Sequence, residues 1–453
     1  MAFSFASRWF KSGAFSLMNR LVIVFFGFWT IFFMVRLMPK SEIGIWSLFL
    51  SVTTILELLR NGFIRNPMIT HLVSAPTPDE KGRIITASWV LHGILVLFTS
   101  LILLVAAQPL TKFWDAPQLD ILFYIYILRG IVLIPCLQFE YLQQTVADFR
   151  AIFLANLARL LPVGFYLTYK YFQIEYYHTG DPPTLLSISI VQLFSTIFSV
   201  GVGYYFVRGS TIIYPRVDRQ SINTLMHFGK YTLGTTISSM VIKSTDSWMI
   251  GRMISTDGVA SYNPALRISN LIEVPTLAVA SLVYPQVDKK MRQEGNRGVE
   301  DVYVKSVSVI LAMMLPLILP LYIFSDLIIR LIFTDNYMEA APILRVTIFF
   351  TLIIPFNRQF GTVMDALKRP KLNFYLLLLM GVLNIIFNYF LLLAYGPIGA
   401  AYGTLISYII IFIVNQWILY RIFNISTLKV LPAILDWYKT GWHMLRKQFS
   451  EAS

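Results

Sequence analysis

The sequence predicts an all-α polytopic membrane protein of about twelve transmembrane helices in two pseudo-symmetric six-helix bundles, with both termini cytoplasmic and an amphipathic helix near the C-terminal end. Three observations predict it. The 453 residues are 56% hydrophobic and only 13% charged, whereas soluble domains carry about 25% charged residues. Twelve stretches reach the roughly 20 mostly apolar residues that a spanning helix needs. Residues 252–273, RMISTDGVASYNPALRISNLIE, lie in register with residues 36–57, RLMPKSEIGIWSLFLSVTTILE, at an offset of 216.

The apolar stretches are 14–38, 42–65, 82–108, 117–140, 149–171, 184–207, 222–250, 258–285, 303–325, 339–366, 372–395 and 398–420. The first follows Arg8, Lys11 and Arg20 as a leader would, but no small-residue cleavage site comes after it and a second apolar stretch follows directly. It reads as a retained span. Six stretches fall in each half, which divides the chain into lobes at 1–207 and 222–421, a cytoplasmic linker at 208–221 and a cytoplasmic tail at 422–453. In the repeat, Gly44 lies against Ala260 and Trp46 against Tyr262, and a second echo pairs Asp148 with Asp365 at an offset of 217. Duplication on this scale in an apolar chain marks transporters with a binding site between two bundles.

Loop charge sets the orientation. With the N-terminus inside, the cytoplasmic segments hold 24 of the 37 Lys and Arg residues and the outer segments six. Cytoplasmic loops retain Lys and Arg. The net charge of +13 is therefore mostly topology, and nucleic acid is not expected as a partner. In the tail, Leu431, Ile434, Leu435, Tyr438, Trp442, Leu445 and Phe449 recur at helical spacing, the pattern of a helix lying on the inner leaflet. A partly ordered tail is the plainer alternative.

The remaining seven cations, Arg60, Arg129, Arg159, Lys243, Arg267, Arg345 and Arg358, fall inside predicted spans. A charge at mid-membrane costs about 2.5–3.5 kcal/mol even on the lenient insertion scale, so such residues face a bundle interior or a watery cavity. Glu57 with Arg60, and Lys243 with Asp246, stand three apart and can pair along one helix. Asn263, Arg267, Asn270 and Glu273 share one face of the eighth stretch. The candidate cavity is thus Arg60, Arg129, Arg267, Arg345, Lys243, Asn263 and Asn270, with Asp246, Glu273 and Glu57 as candidates for ion coupling. Asn384 and Asn388 share a face of the eleventh stretch, where interhelical hydrogen bonding is the default role. A cationic interior suits a ligand with phosphate oxygens, which guanidinium forks grip. A diphosphate joined to sugars and an apolar tail fits such an interior throughout.

The stretch RLMPKSEIGIWSLFLSVTTILELLRNGF at 36–63 and its counterpart RMISTDGVASYNPALRI at 252–268 resemble the polysaccharide flippase (Wzx-like) branch of the multidrug/oligosaccharidyl-lipid/polysaccharide exporter superfamily. The likeness rests on Arg36, Leu37, Pro39, Gly44 and Trp46 after the first helix, a loose R-L-x-P-x4-G-x-W pattern. The resemblance implies two six-helix lobes around a cationic cavity that opens alternately inward and outward. It also implies an undecaprenyl-diphosphate-linked oligosaccharide as substrate, moved to the outer leaflet of the cytoplasmic membrane. By position, arginines that act in the related lipid II flippases carry over to Arg60 and Arg267. On the first helix only Arg20 is available, because residues 21–35 are uncharged.

Other functions fit less well. A drug or cation antiporter of the same superfamily would want an acidic interior. A polysaccharide polymerase or ligase would want a large outer loop, and the longest here is about a dozen residues. No phosphate-binding glycine loop, catalytic triad or paired catalytic carboxylates stand out, and neither five scattered histidines nor the single cysteine, Cys136, makes a metal site. No enzyme activity and no cofactor are expected beyond coupling to H+ or Na+. The expected partners are the lipid-linked oligosaccharide, the bilayer, and a polysaccharide polymerase with its chain-length machinery.

Overall fold

The computed structural model describes residues 2–209 and 219–451, and every described regular element is helical. The chain divides into two compact units, Met1–Ser244 and Thr245–Ser453. Their boundary lies inside a helix rather than in the 208–221 stretch, of which 210–218 lie outside the described residues.

Unit one contains α1 (Ala2–Leu37), α2 (Lys40–Ser74), α3 (Pro78–Phe113), α4 (Leu119–Thr145), α5 (Phe149–Glu175), α6 (Leu185–Val207) and most of α7 (Arg219–Met253). Helix α5 packs along α1 and α6, and α4 packs along α2, α3 and α6. Ile64 and Met68 of α2 meet Ile85 and Leu91 of α3 and Phe139 and Leu142 of α4 in a buried core. Starts are capped where the sequence supplies caps: Thr77 accepts from the Glu80 N–H before α3, and Thr184 forms a capping box with Ser187 before α6. Such caps satisfy amide groups that the helix itself leaves unpaired.

Unit two contains α8 (Thr256–Ile272), α9 (Val274–Glu294), α10 (Asn296–Ile323), α11 (Ser325–Phe333), α12 (Ala340–Ala366), α13 (Pro370–Tyr395), α14 (Pro397–Phe423) and α15 (Val430–Glu451). Helix α12 packs against α8, α9, α10 and α14. Val287, Tyr303, Val307, Phe360, Met364 and Leu419 close its core.

Ten of the described helices are long and apolar enough to cross a membrane: α1 from Ser12, α2 to α6, α10, α12, α13 and α14. The predicted continuous helix at 258–285 is broken into α8 and α9. Pro275, second in α9, has no N–H to extend the ladder of α8, and the Thr276 N–H turns back to the Glu273 carbonyl at 3.0 Å. Many outward side chains are large and apolar, such as Leu97, Phe98, Leu101 and Val105 on α3. Such a surface is stable in lipid and a liability in water.

The repeat has a structural counterpart within each unit. Residues 36–57 leave the end of α1, cross two residues and run into α2; residues 252–273 leave α7, cross two residues and form α8. After α4 and after α12 the chain reverses through a left-handed residue, Ala147 (φ 57°) and Lys368 (φ 59°). Asp148 then caps α5 through the Ala151 N–H, while Asp365 accepts from Asn373 in the first turn of α13.

Helix α15 packs along α10. Val430 and Ile434 enter the core of unit two, the Trp437 indole donates to Ser308 (3.1 Å), and the Tyr438 hydroxyl donates to the Ala312 carbonyl (2.8 Å). Leu431, Leu435 and Trp442 point outward and are more than half exposed. The apolar stripe is thus split between the protein and its surroundings. The side chains of Leu445 and Phe449 lie outside the described residues.

Candidate functional site: buried charges in each unit

In unit one, Arg60 is 1% exposed. Its guanidinium donates to the Tyr126 hydroxyl and sits 5.5 Å from that ring's centre, and the hydroxyl passes its own hydrogen to the Thr53 carbonyl at 3.2 Å. The guanidinium passes close to Gly130 of α4, where a Cβ would stand in ordinary contact at 3.5 Å from Arg60 Nη1. The expected Glu57–Arg60 pair is absent: among the described residues Glu57 makes no ion pair, and it lines a cavity with Arg65, Glu140 and Arg159 instead. The two side chains diverge because Arg60 turns into the contact with α4. Arg129 is half-buried and donates to Thr196 (3.3 Å) and Gln192 (3.4 Å) of α6. Lys243, the other candidate in this unit, is exposed rather than buried.

In unit two, Asp246 is 4% exposed and surrounded by neutral donors. One carboxylate oxygen accepts from Asn388 (2.6 Å) and Asn384 (3.3 Å) of α13. The other accepts from the Tyr262 hydroxyl of α8 (2.6 Å) and the Thr404 hydroxyl of α14 (2.9 Å). The expected pairing with Lys243 does not supply any of these contacts. Two glycines allow the helices to approach: a Cβ on Gly399 would overlap the Leu391 carbonyl, and one on Gly403 the Asn388 side chain. Small residues let membrane helices cross closely.

Arg267 is half-buried on α8, and among the described residues it has no hydrogen-bond or ion-pair partner. Asn263 is spent on the Val259 carbonyl (2.9 Å), and Asn270 is exposed. Glu273 is 7% exposed at the break between α8 and α9. Arg345, a candidate for the cavity, is neutralised by an ion pair instead. It stands in the second turn of α12 and pairs with Asp326 of α11, with a second hydrogen bond to Ser325 at 2.8 Å. Its partner lies 19 residues away on another helix, beyond the reach of helical spacing. Arg358 is exposed on α12.

Residues that spacing alone did not assign complete these clusters. Tyr262 and Thr404 join Asp246, and Asn384 and Asn388 bond across helices to it as their shared face foretold. Tyr126 anchors Arg60. Tyr262 also carried a signal, since it aligns with Trp46 in the repeat, whereas Thr404 and Tyr126 carried none.

Residues 33–342 match the family described as polysaccharide biosynthesis protein. The chain is 22% identical over 404 residues to the uncharacterized membrane protein MJ1068 of Methanocaldococcus jannaschii, covering 85% of this chain and 78% of that one. It is 25% identical over 189 residues to the probable low-salt glycan biosynthesis flippase Agl15 of Haloferax volcanii, covering 42% of this chain and 40% of that protein. Among solved structures, an inward-facing multidrug resistance transporter of the MATE family superposes with a TM-score of 0.73 at 14% identity, over 87% of this chain and 94% of that one. The lipid II flippase MurJ in an inward closed conformation gives 0.70 at 16% identity, over 93% and 90%.

Proposed function

The chain belongs to the polysaccharide biosynthesis protein family, and from that premise we propose that it carries an undecaprenyl-diphosphate-linked oligosaccharide from the inner to the outer leaflet of the bacterial cytoplasmic membrane by alternating access. It is a multi-pass membrane protein of the polysaccharide flippase branch of its superfamily, and not an enzyme. In this reading α7 and the broken pair α8–α9 complete the ten apolar helices to twelve spans in two six-helix lobes. Both termini then lie inside and α15 rests at the inner leaflet. A polysaccharide polymerase and chain-length machinery would receive the product.

The observation that carries the reading is Arg267. A guanidinium on a helix read as part of a span is costly, and among the described residues nothing neutralises it. A diphosphate would do so through paired N–H···O bonds. A cationic drug would be repelled, which disfavours the antiporter reading.

For ion coupling, Asp246 is the best-placed carboxylate. Its neighbours Asn384, Asn388 and Thr404 each carry an oxygen, and the buried Oδ1 of Asn388 has no hydrogen-bond partner. Turned toward Asp246, these oxygens form a hard, oxygen-only set of the kind that suits Na+, and a proton could occupy the carboxylate in its place. Either ion would neutralise a buried charge that four neutral donors now hold.

The test is Arg267→Ala in the native host. Surface polysaccharide should be lost while the protein remains in the membrane at its normal level. Normal surface polysaccharide would remove Arg267 from the site.

A further inference from the structure

A cavity between α2, α4 and α5 differs from the clusters around Arg60 and Asp246. It lies wholly within unit one, is an open cleft of about 170 Å³, and is lined by Glu57 and Arg65 of α2, Leu133, Leu137, Glu140 and Tyr141 of α4, and Arg159 of α5. Two carboxylates face two guanidiniums, so its formal charge is zero. Opposite charges around so small a space would ordinarily pair, yet among the described residues neither Glu57 nor Glu140 makes an ion pair or hydrogen bond. The arginines are steered elsewhere. Arg159 Nη2 donates to Asn156 Oδ1 at 2.6 Å, and Asn156, 4% exposed, is itself held by Asn19 of α1 at 3.2 Å. Arg65 Nε donates to Gln144 at 3.3 Å. The carboxylate oxygens therefore remain open acceptors, and each guanidinium keeps N–H groups to spare.

Such a lining discriminates by charge. An anion would be drawn by the arginines but opposed by the two glutamates, and a cation would meet the reverse. A neutral group rich in hydroxyls satisfies both: hydroxyl hydrogens go to the carboxylates and hydroxyl oxygens accept from the guanidiniums, in charge-assisted bonds. Leu133, Leu137 and the Tyr141 ring supply an apolar floor for the C–H face of a ring. A few convergent polar groups over an apolar floor is the general form of a small-ligand site.

We propose that this cavity is a neutral-sugar subsite, binding an uncharged pyranose unit of the lipid-linked substrate through Glu57, Glu140, Arg65 and Arg159. The proposal rests on the carrier reading above and adds the class of sugar in the head group: a neutral unit rather than an acidic one.

The test uses the full-length protein in lipid nanodiscs and three probes: undecaprenyl diphosphate, the same lipid carrying one neutral hexose, and the same lipid carrying one hexuronic acid. The wild type should bind the hexose lipid about tenfold more tightly than the bare lipid, the scale expected when charge-assisted hydrogen bonds are gained, and the uronate lipid less tightly than the hexose lipid. Glu140→Gln should erase the hexose preference and leave affinity for bare undecaprenyl diphosphate unchanged. Arg159→Lys, which keeps the charge but loses the planar fork, should weaken hexose binding likewise and serves if the first variant does not accumulate. A hexose preference that survives both variants, or a wild type that favours the uronate, overturns the subsite while leaving the carrier reading intact. A wild type that binds no lipid diphosphate at all overturns both.

Discussion

Arg60 and Arg267 show how differently one residue type can be used. Arg60 is sealed between α2 and α4 and donates to Tyr126, whereas Arg267 has no partner among the described residues. Tyr126→Phe should therefore destabilise unit one by about 1.5–3 kcal/mol, the cost of stranding a buried charged donor. A lowered thermal unfolding temperature with little change in the membrane insertion of the protein would register it. An unchanged transition would show that Arg60 is held by something other than this hydroxyl. Asp246 makes a second residue-scale prediction. In proteoliposomes, Asp246→Asn should abolish any response of the transport rate to Na+ or to a pH gradient, because the amide carries no charge to neutralise. A variant whose rate still responds would separate this carboxylate from coupling. Both arginines and Asp246 were visible in the sequence as charges where none belong. Their partners were not, since Tyr126, Asn384 and Thr404 lie 66, 138 and 158 residues from the groups they hold.

At the scale of helices, periodicity and apolar length located most of the spans, and the repeat located the helix–link–helix junctions at 38–39 and 254–255. It missed the break at Glu273, because proline interrupts some membrane helices and merely bends others. Pro264 and Pro355 sit within unbroken helices, whereas Pro275 opens a new one. The pairing of Arg345 was also missed, because its carboxylate partner lies on the short helix α11 that length alone did not announce. The crossing of α13 and α14 carries its own prediction. Gly403→Ala places a methyl against Asn388 and must push the helices apart, which removes donors from Asp246. Overpacking of this kind costs about 1–3 kcal/mol, and the variant should show both a lowered unfolding temperature and impaired transport. Normal behaviour of both would mean that the Asp246 cluster tolerates a wider crossing. Trp437→Ala should free α15 from α10 by removing the bond to Ser308 and the ring behind it. Protease cleavage within 430–451 should then be faster than in the wild type, and equal cleavage rates would contradict the docking.

For the molecule as a whole, composition and long apolar stretches mark a membrane protein, and ten described helices are long and apolar enough to cross a bilayer. The fold is shared with the MATE transporter and MurJ, and fold alone does not choose between their cargoes. The choice between them comes from the chain's own residues: an unneutralised guanidinium at Arg267, and in the other unit a charge-balanced cavity at Glu57, Glu140, Arg65 and Arg159. On the proposed function, this protein moves a lipid diphosphate-linked glycan across a bilayer. The most direct measurement reconstitutes it in liposomes with a fluorescently labelled undecaprenyl diphosphate oligosaccharide and follows quenching by a membrane-impermeant reductant. Wild-type protein should expose the inner-leaflet label over time and Arg267→Ala should not. Label that stays as protected as in protein-free liposomes, or that is exposed equally by both proteins, would contradict the account.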